Sequence, residues 1–155
     1  MIELITILVW KLVGALIGYV IPWLDVVGYV MYLHPDDPET AHVRESLRAK
    51  KFFLAMKDIA LLLGKPLRFI HRSVYFIAAF LALGVFTITS TGSVVGKGVI
   101  AGLGVHMLLA MIPFRTSIHE IRTRFFWGLA NTVSERALQT LIGAIVLIVA
   151  LAFAT

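Results

Sequence analysis

The 155-residue sequence contains no cysteine. That excludes disulfides, thiolate zinc sites, iron–sulfur clusters and cysteine nucleophiles, and leaves the redox compartment open. Charge is also scarce: Asp, Glu, Lys and Arg make up 15% of residues, against about a quarter in soluble domains. In their place is apolar bulk, 59% of the chain, with a mean hydropathy of +0.92. A soluble domain runs at about 45–50% apolar. A globule of this size buries only about two-thirds of the surface its unfolded chain exposes. It cannot hide so much apolar surface from water. The composition therefore excludes a disordered chain, a collagen-like fibre and a soluble nucleic-acid binder, and indicates a membrane protein. No Walker A, G-x-S-x-G, H-E-x-x-H or EF-hand pattern is present, and no internal repeat is evident. The first residues also read against a secretory signal peptide, because Glu3 stands where a basic region is expected and Lys11 interrupts the apolar run.

A helix needs about 20 mainly apolar residues to cross roughly 30 Å of hydrocarbon. Four segments qualify, at about 4–24, 74–89, 94–112 and 137–154. The predicted fold is all-α: one membrane domain over 1–155, a bundle of four transmembrane helices with two cytoplasmic amphipathic segments. Pro22 and Asp25 are expected to close the first span. The apolar stretch 26–33 either extends that span past a proline kink or lies at the interface.

Twelve of the fourteen basic residues fall in two non-adjacent loops, 34–72 and 113–136. The turn at 90–93 has none. By the positive-inside rule both loops are cytoplasmic and both termini lie on the other side, in the inner (cytoplasmic) membrane of a cell. The net charge of +5 is then a topology signal, and no nucleic-acid partner is expected. Within the first loop, Asp37 or Thr40 can cap a helix over 41–63, which contains neither Pro nor Gly and carries Val43, Leu47, Leu54 and Leu61 on one face. A second helix is expected over 116–130. Both are read as lying along the inner leaflet, with basic side chains towards anionic lipid headgroups; a solvated helix hairpin is the alternative. Gly14 with Gly18, and Gly98 with Gly102, carry the four-residue spacing that lets helix backbones approach closely, permitting a homo-oligomer or a membrane protein partner.

Ionisable residues at membrane depth each need a reason. The topology brings Asp25, His71 with Arg72, and His106 from three different spans to the same half of the bilayer. His106 is set about 10 Å inside its span at ~1.5 Å per residue. Carboxylate and imidazole are ligands for zinc or another divalent ion such as manganese, or an acid–base pair. The plainer alternative is that Asp25, His71 and Arg72 are headgroup-level residues and His106 bonds a neighbouring helix. Lys11 lies near mid-span with no nearby acid, and its long stem allows snorkelling. His34 with Asp36 and Asp37, and His119 with Glu120, are further ligand types outside the spans.

The order of these features resembles the LexA-regulated, inner-membrane metal-dependent hydrolase-like family. The run Val20-Ile21-Pro22-Trp23-Leu24-Asp25 is similar to that family's Pro-Asp-x-Asp turn, and Lys65-Pro66 followed by His71-Arg72 to its His-Arg motif opening a span. Gly102-Leu103-Gly104-Val105-His106 followed by Pro113 is similar to its Gly-x-x-x-His helix, and Glu135 to the glutamate opening its last helix. Trp23 stands in place of the first aspartate, Tyr75 and Phe76 in place of a second histidine, and Ala110 in place of an aspartate one turn after His106. The resemblance implies a hydrolase with Asp25, His71 and His106 as metal ligands, His71 also as general base, and Arg72 clamping an anion, at an ester in the cytoplasmic leaflet. A non-catalytic membrane subunit or scaffold is the alternative. A second resemblance, of Ile70-His71-Arg72-Ser73 to the succinate dehydrogenase membrane anchor, implies haem b held by His71 and His106.

Overall fold

The computed structural model describes residues 2–63, 65, 67, 69–90, 93–112, 117–126 and 133–155. Among them the regular structure is entirely helical. The helices are α1 (Ile2–Gly28), α2 (Ala41–Arg48), α3 (Phe52–Leu63), α4 (Val74–Thr89), α5 (Val94–Met111), α6 (Ile118–Phe125) and α7 (Glu135–Ala154). Three are long and apolar enough to cross a membrane: α1 with its extension to Leu33, α5 and α7; α4 is a shorter apolar helix. Serine side chains open four of the seven. Ser73, Ser93, Ser117 and Ser134 accept from backbone N–H groups in the first turns of α4, α5, α6 and α7, satisfying donors that helix geometry leaves free.

Pro22 and Asp25 do not end the first helix. α1 runs through both and continues as a π-helical turn, Tyr29–Leu33. At ~1.5 Å per residue the 32-residue unit is about 48 Å long. It exceeds the hydrocarbon thickness, and its last third has other work. Val26, Tyr29 and Val30 form a second core with Val43, Ile59, Leu62 and Phe69. Pro22 is buried within α1, where it donates no backbone hydrogen bond but packs against its neighbours.

The helix expected over 41–63 is two helices. Arg48 and Phe52 are separated by a turn in which Lys50 has a left-handed φ of 55°. The Lys51 N–H bonds the Ser46 carbonyl and the Lys50 N–H that of Leu47, both at 3.0 Å. This is the Schellman ending of a helix, with lysine where glycine is usual. The Ser46 hydroxyl then donates to Asp58 at 2.9 Å, tying α2 and α3 into a hairpin. The break turns α3 so that Ala55, Ile59 and Leu62 face inward while Leu54 and Leu61 are exposed. The face shared by Val43, Leu47, Leu54 and Leu61 in one continuous helix does not exist. The helix expected over 116–130 is described only as Ile118–Phe125; 116 and 127–130 lie outside the described residues. Its Ile121 and Phe125, with Phe126, are buried in the main core beside Met107, Met111 and Leu138.

Small residues determine how the long helices meet. A Cβ on Gly14 or Gly18 would overlap the carbonyls of Val95 or Val99, and one on Gly98 or Gly102 those of Lys11 or Ala15. The α1 and α5 backbones touch along this line, and the matched order of the pairs makes them parallel. Thr87 neighbours Gly96, Ile100 neighbours Gly84 and Phe80 neighbours Gly104, so α4 is antiparallel to α5. Lys97 reaches Thr155 while Gly104 meets Val149, so α7 is antiparallel too. Both termini therefore lie at one end of the bundle. The described residues between α1 and α4, and between α5 and α7, lie at the other.

A candidate site at the basic end of the bundle

Asp25 is carried about two turns beyond the Gly18 contact by α1. The register that pairs Gly14 with Val95 and Gly18 with Val99 brings the lower part of α1 level with His106 on α5. Tyr19 from α1 meets the His106 ring edge-on at 5.0 Å between centroids. His71 comes from a 3-10 turn, Ile70–Arg72, just before α4. Its backbone N–H and its ring Nδ1 both reach one Asp25 carboxylate oxygen, at 2.9 and 2.7 Å. The His71 and His106 rings stand edge-on at 6.0 Å, and Phe69 stacks on His71 at 5.6 Å. The three residues expected from separate spans thus gather in one place. The depth of His106 inside its span does not separate it from His71, because the Ile70–Arg72 turn brings the His71 ring against that of His106.

The chemistry follows from which nitrogens are used. Burial lowers the proton affinity of His71; hydrogen bonding to Asp25 opposes this and the charge of Arg72 adds to it. Burial thus favours the neutral imidazole in the Asp25–His71 contact, with Nδ1 donating to the carboxylate and the tautomer assigned from that bond. Nε2 then carries the ring's lone pair, and it is buried with no partner. His106 Nδ1 is likewise buried and unpartnered. Buried polar atoms are normally satisfied, so two orphaned imidazole nitrogens in one cluster single out this place. Asp25 takes the outer position of a carboxylate–histidine pair, which fixes an imidazole for an ion or substrate on its far side. Among the described residues no group of three His, Asp or Glu is arranged to hold a metal ion. The protein donors are the two imidazoles.

Arg72 lies beside this cluster but spends its guanidinium on other partners. It is 1% exposed, its guanidinium between the Phe69 and Phe125 rings at 5.2 and 5.1 Å. Its Nη2 donates to the Leu63 carbonyl and its Nη1 to that of Lys65 at 3.4 Å. It closes the C-terminal end of α3, where carbonyls lack intrahelical partners and a cation is favourable. Burial, together with the charge of Arg124, lowers its pKa to about 10, so it remains charged at neutral pH.

The other ligand types are engaged locally. The His34 ring lies against Tyr29 at 4.5 Å, Asp37 accepts from the Glu39 N–H at 2.8 Å, and His119 Nδ1 meets Arg122 at 3.3 Å. Lys65 pairs with Glu39 at 3.2 Å. Tyr19 and Phe69, which wall the two imidazoles, carry no signal in the sequence; only the α1–α5 register and the turn before α4 reveal them. No family model, curated protein or solved structure matches this chain.

Proposed function

We propose that the protein is a four-pass inner-membrane protein that holds a divalent cation on His71 and His106 and is related to the membrane hydrolase-like family. The observation that carries the ion site is the pair of buried, unpartnered imidazole nitrogens, one of them oriented by Asp25. Imidazole suits zinc and, with oxygen ligands from water or substrate, manganese. A bound ion would supply Lewis acidity and acidify a coordinated water. Asp25 holds His71 in the tautomer that offers Nε2, and Tyr19 and Phe69 restrict the rings' motion. We assign Arg72 to the fold rather than to an anion, because two of its nitrogens already serve main-chain carbonyls. Twelve of fourteen basic residues fall in the segments that meet at one bundle end, which supports a cytoplasmic placement of that end and external termini.

The second reading is a non-catalytic membrane subunit. It is favoured by the second bond to Asp25: because the carboxylate also takes the His71 backbone N–H, the pair ties the start of α4 to α1 even without a ligand. Haem b is disfavoured, since the imidazoles meet edge-on with aromatic rings packed against both, and a macrocycle would have to part them. Metal analysis of the purified protein and of His106→Ala separates the readings. Stoichiometric zinc or manganese in the parent, lost in the variant, supports the ion site. A folded parent without metal supports the subunit reading, and a Soret band would promote haem.

A further inference from the structure

The α2–α3 turn presents two adjacent phenylalanines outward, away from every core. Phe52 is 68% and Phe53 90% exposed, and Met56, one turn on, is 53% exposed. Ala49, Lys50 and Lys51 around them are all exposed, as is Lys57 on the same helix. The turn is held in this shape: the left-handed Lys50 ends α2, and the Ser46–Asp58 bond clamps the two helices behind it. Large apolar side chains held outward beside cations match the boundary between acyl chains and anionic headgroups, where rings enter the apolar side and ammonium groups meet phosphates. Charge complementarity selects the occupant. A neutral or cationic protein surface would leave Lys50 and Lys51 uncompensated, whereas the anionic leaflet of the bilayer holding the bundle neutralises both.

We propose that the α2–α3 turn is a lipid anchor, in which Phe52 and Phe53 enter an anionic leaflet while Lys50, Lys51 and Lys57 sit on its phosphates. The proposal rests on the membrane reading of the bundle and goes further, turning the first basic segment into a fixed brace. It would hold Phe69, and with it His71, at a set depth relative to the leaflet, because α3 and Phe69 share one core with α1.

The absence of cysteine makes the test direct. Phe53→Cys and, separately, Leu147→Cys on the exposed face of α7 are labelled with an environment-sensitive fluorophore. The full-length chain is reconstituted in nanodiscs of phosphatidylcholine alone or with phosphatidylglycerol. At position 53 the expected result is blue-shifted emission, quenching by headgroup-proximal spin labels and protection from iodide, all stronger in the anionic discs. Each lysine near an anionic surface changes the ratio of inserted to withdrawn turn by about fivefold, so Lys50→Glu with Lys51→Glu should abolish the lipid dependence. A position-53 label equally open to iodide in both discs, while position 147 is shielded, overturns the anchor alone. A position-147 label that is also open to iodide removes the membrane reading with it.

Discussion

The two ends of the bundle treat their buried nitrogens in opposite ways. At the end holding both termini, Lys11 is buried and donates to the Phe153 carbonyl at 3.0 Å, and Lys97 reaches Thr155. Two lysines from α1 and α5 thereby complete the C-terminal turn of α7, where carbonyls lack partners and positive charge is favoured. Between them and the middle of the bundle, glycines bring α1 and α5 into backbone contact. At the other end, polar groups are just as buried but incompletely used: His71 Nε2, His106 Nδ1 and Arg72 Nε have no partner. The closed end is explained by folding alone. The open end carries unmet hydrogen-bonding capacity that the packing shown does not use, and this contrast is why the proposed ion site is put at the imidazoles rather than at the mid-span lysine.

The largest effect is expected from breaking the closed end. Gly102→Leu should leave no folded protein, and Gly102→Ala should cost about 3 kcal/mol, at the upper end for overpacking, because the new carbon meets the Ala15 backbone, which cannot move aside like a side chain. Gly28→Ala, with open space around it, should leave stability equal or raised by roughly 0.5–1 kcal/mol. Denaturation in mixed micelles, followed by circular dichroism, compares the three. Equal loss at Gly28 and Gly102 would show that the glycine contact is not what joins α1 to α5.

Next comes the open end. Asp25→Asn should weaken zinc binding by about 10- to 100-fold, the usual consequence of removing an orienting carboxylate, measured by competition with a chelating dye. Unchanged affinity would mean that His71 is not oriented for a ligand. A smaller effect is expected from Lys11→Met, about 1–2 kcal/mol of stability through the lost bond to Phe153, with no change in metal content. If Lys11→Met lowered metal content, the two ends would not be separable as drawn.

The smallest effect is a pH dependence. In chelator-treated protein, burial holds His71 below its ordinary value of 6.5. The unfolded chain therefore takes up a proton that the folded chain resists. Stability contributed by neutral His71 is complete above about pH 6.5 and falls as pH drops towards the lowered value. Asp25 opposes this loss; Arg72 adds to it, and His106 faces the same ring. His71→Asn should flatten the slope of thermal stability between pH 7 and 5. A profile that rises on acidification would mean that the ion pair with Asp25 outweighs burial.

Much of this was legible beforehand, for definite reasons. Membrane character follows from composition, and the alternation of basic loops follows from where Lys and Arg lie. Asp25, His71 and His106 could be picked out because a polar group beside an apolar run is rare and costly. The break at Lys50 was not legible, since lysine occupies a left-handed position where glycine would have announced it. The role of Arg72 was equally hidden, because a basic residue at a span entrance reads as a clamp until the end of α3 is seen against it. Asp25 was recognised as part of the cluster but not as the orienting carboxylate, a distinction of one hydrogen bond.

What the amino-acid order determined by itself is which segments avoid water and which residues do so at a cost, because transfer energies are properties of side chains. Only the tertiary structure decided which of those costly residues meet. That depended on the parallel register of α1 on α5, set by carbonyls lodged against glycines far apart in the chain. It depended also on an inward turn before α4, and neither is a property of any local stretch of residues.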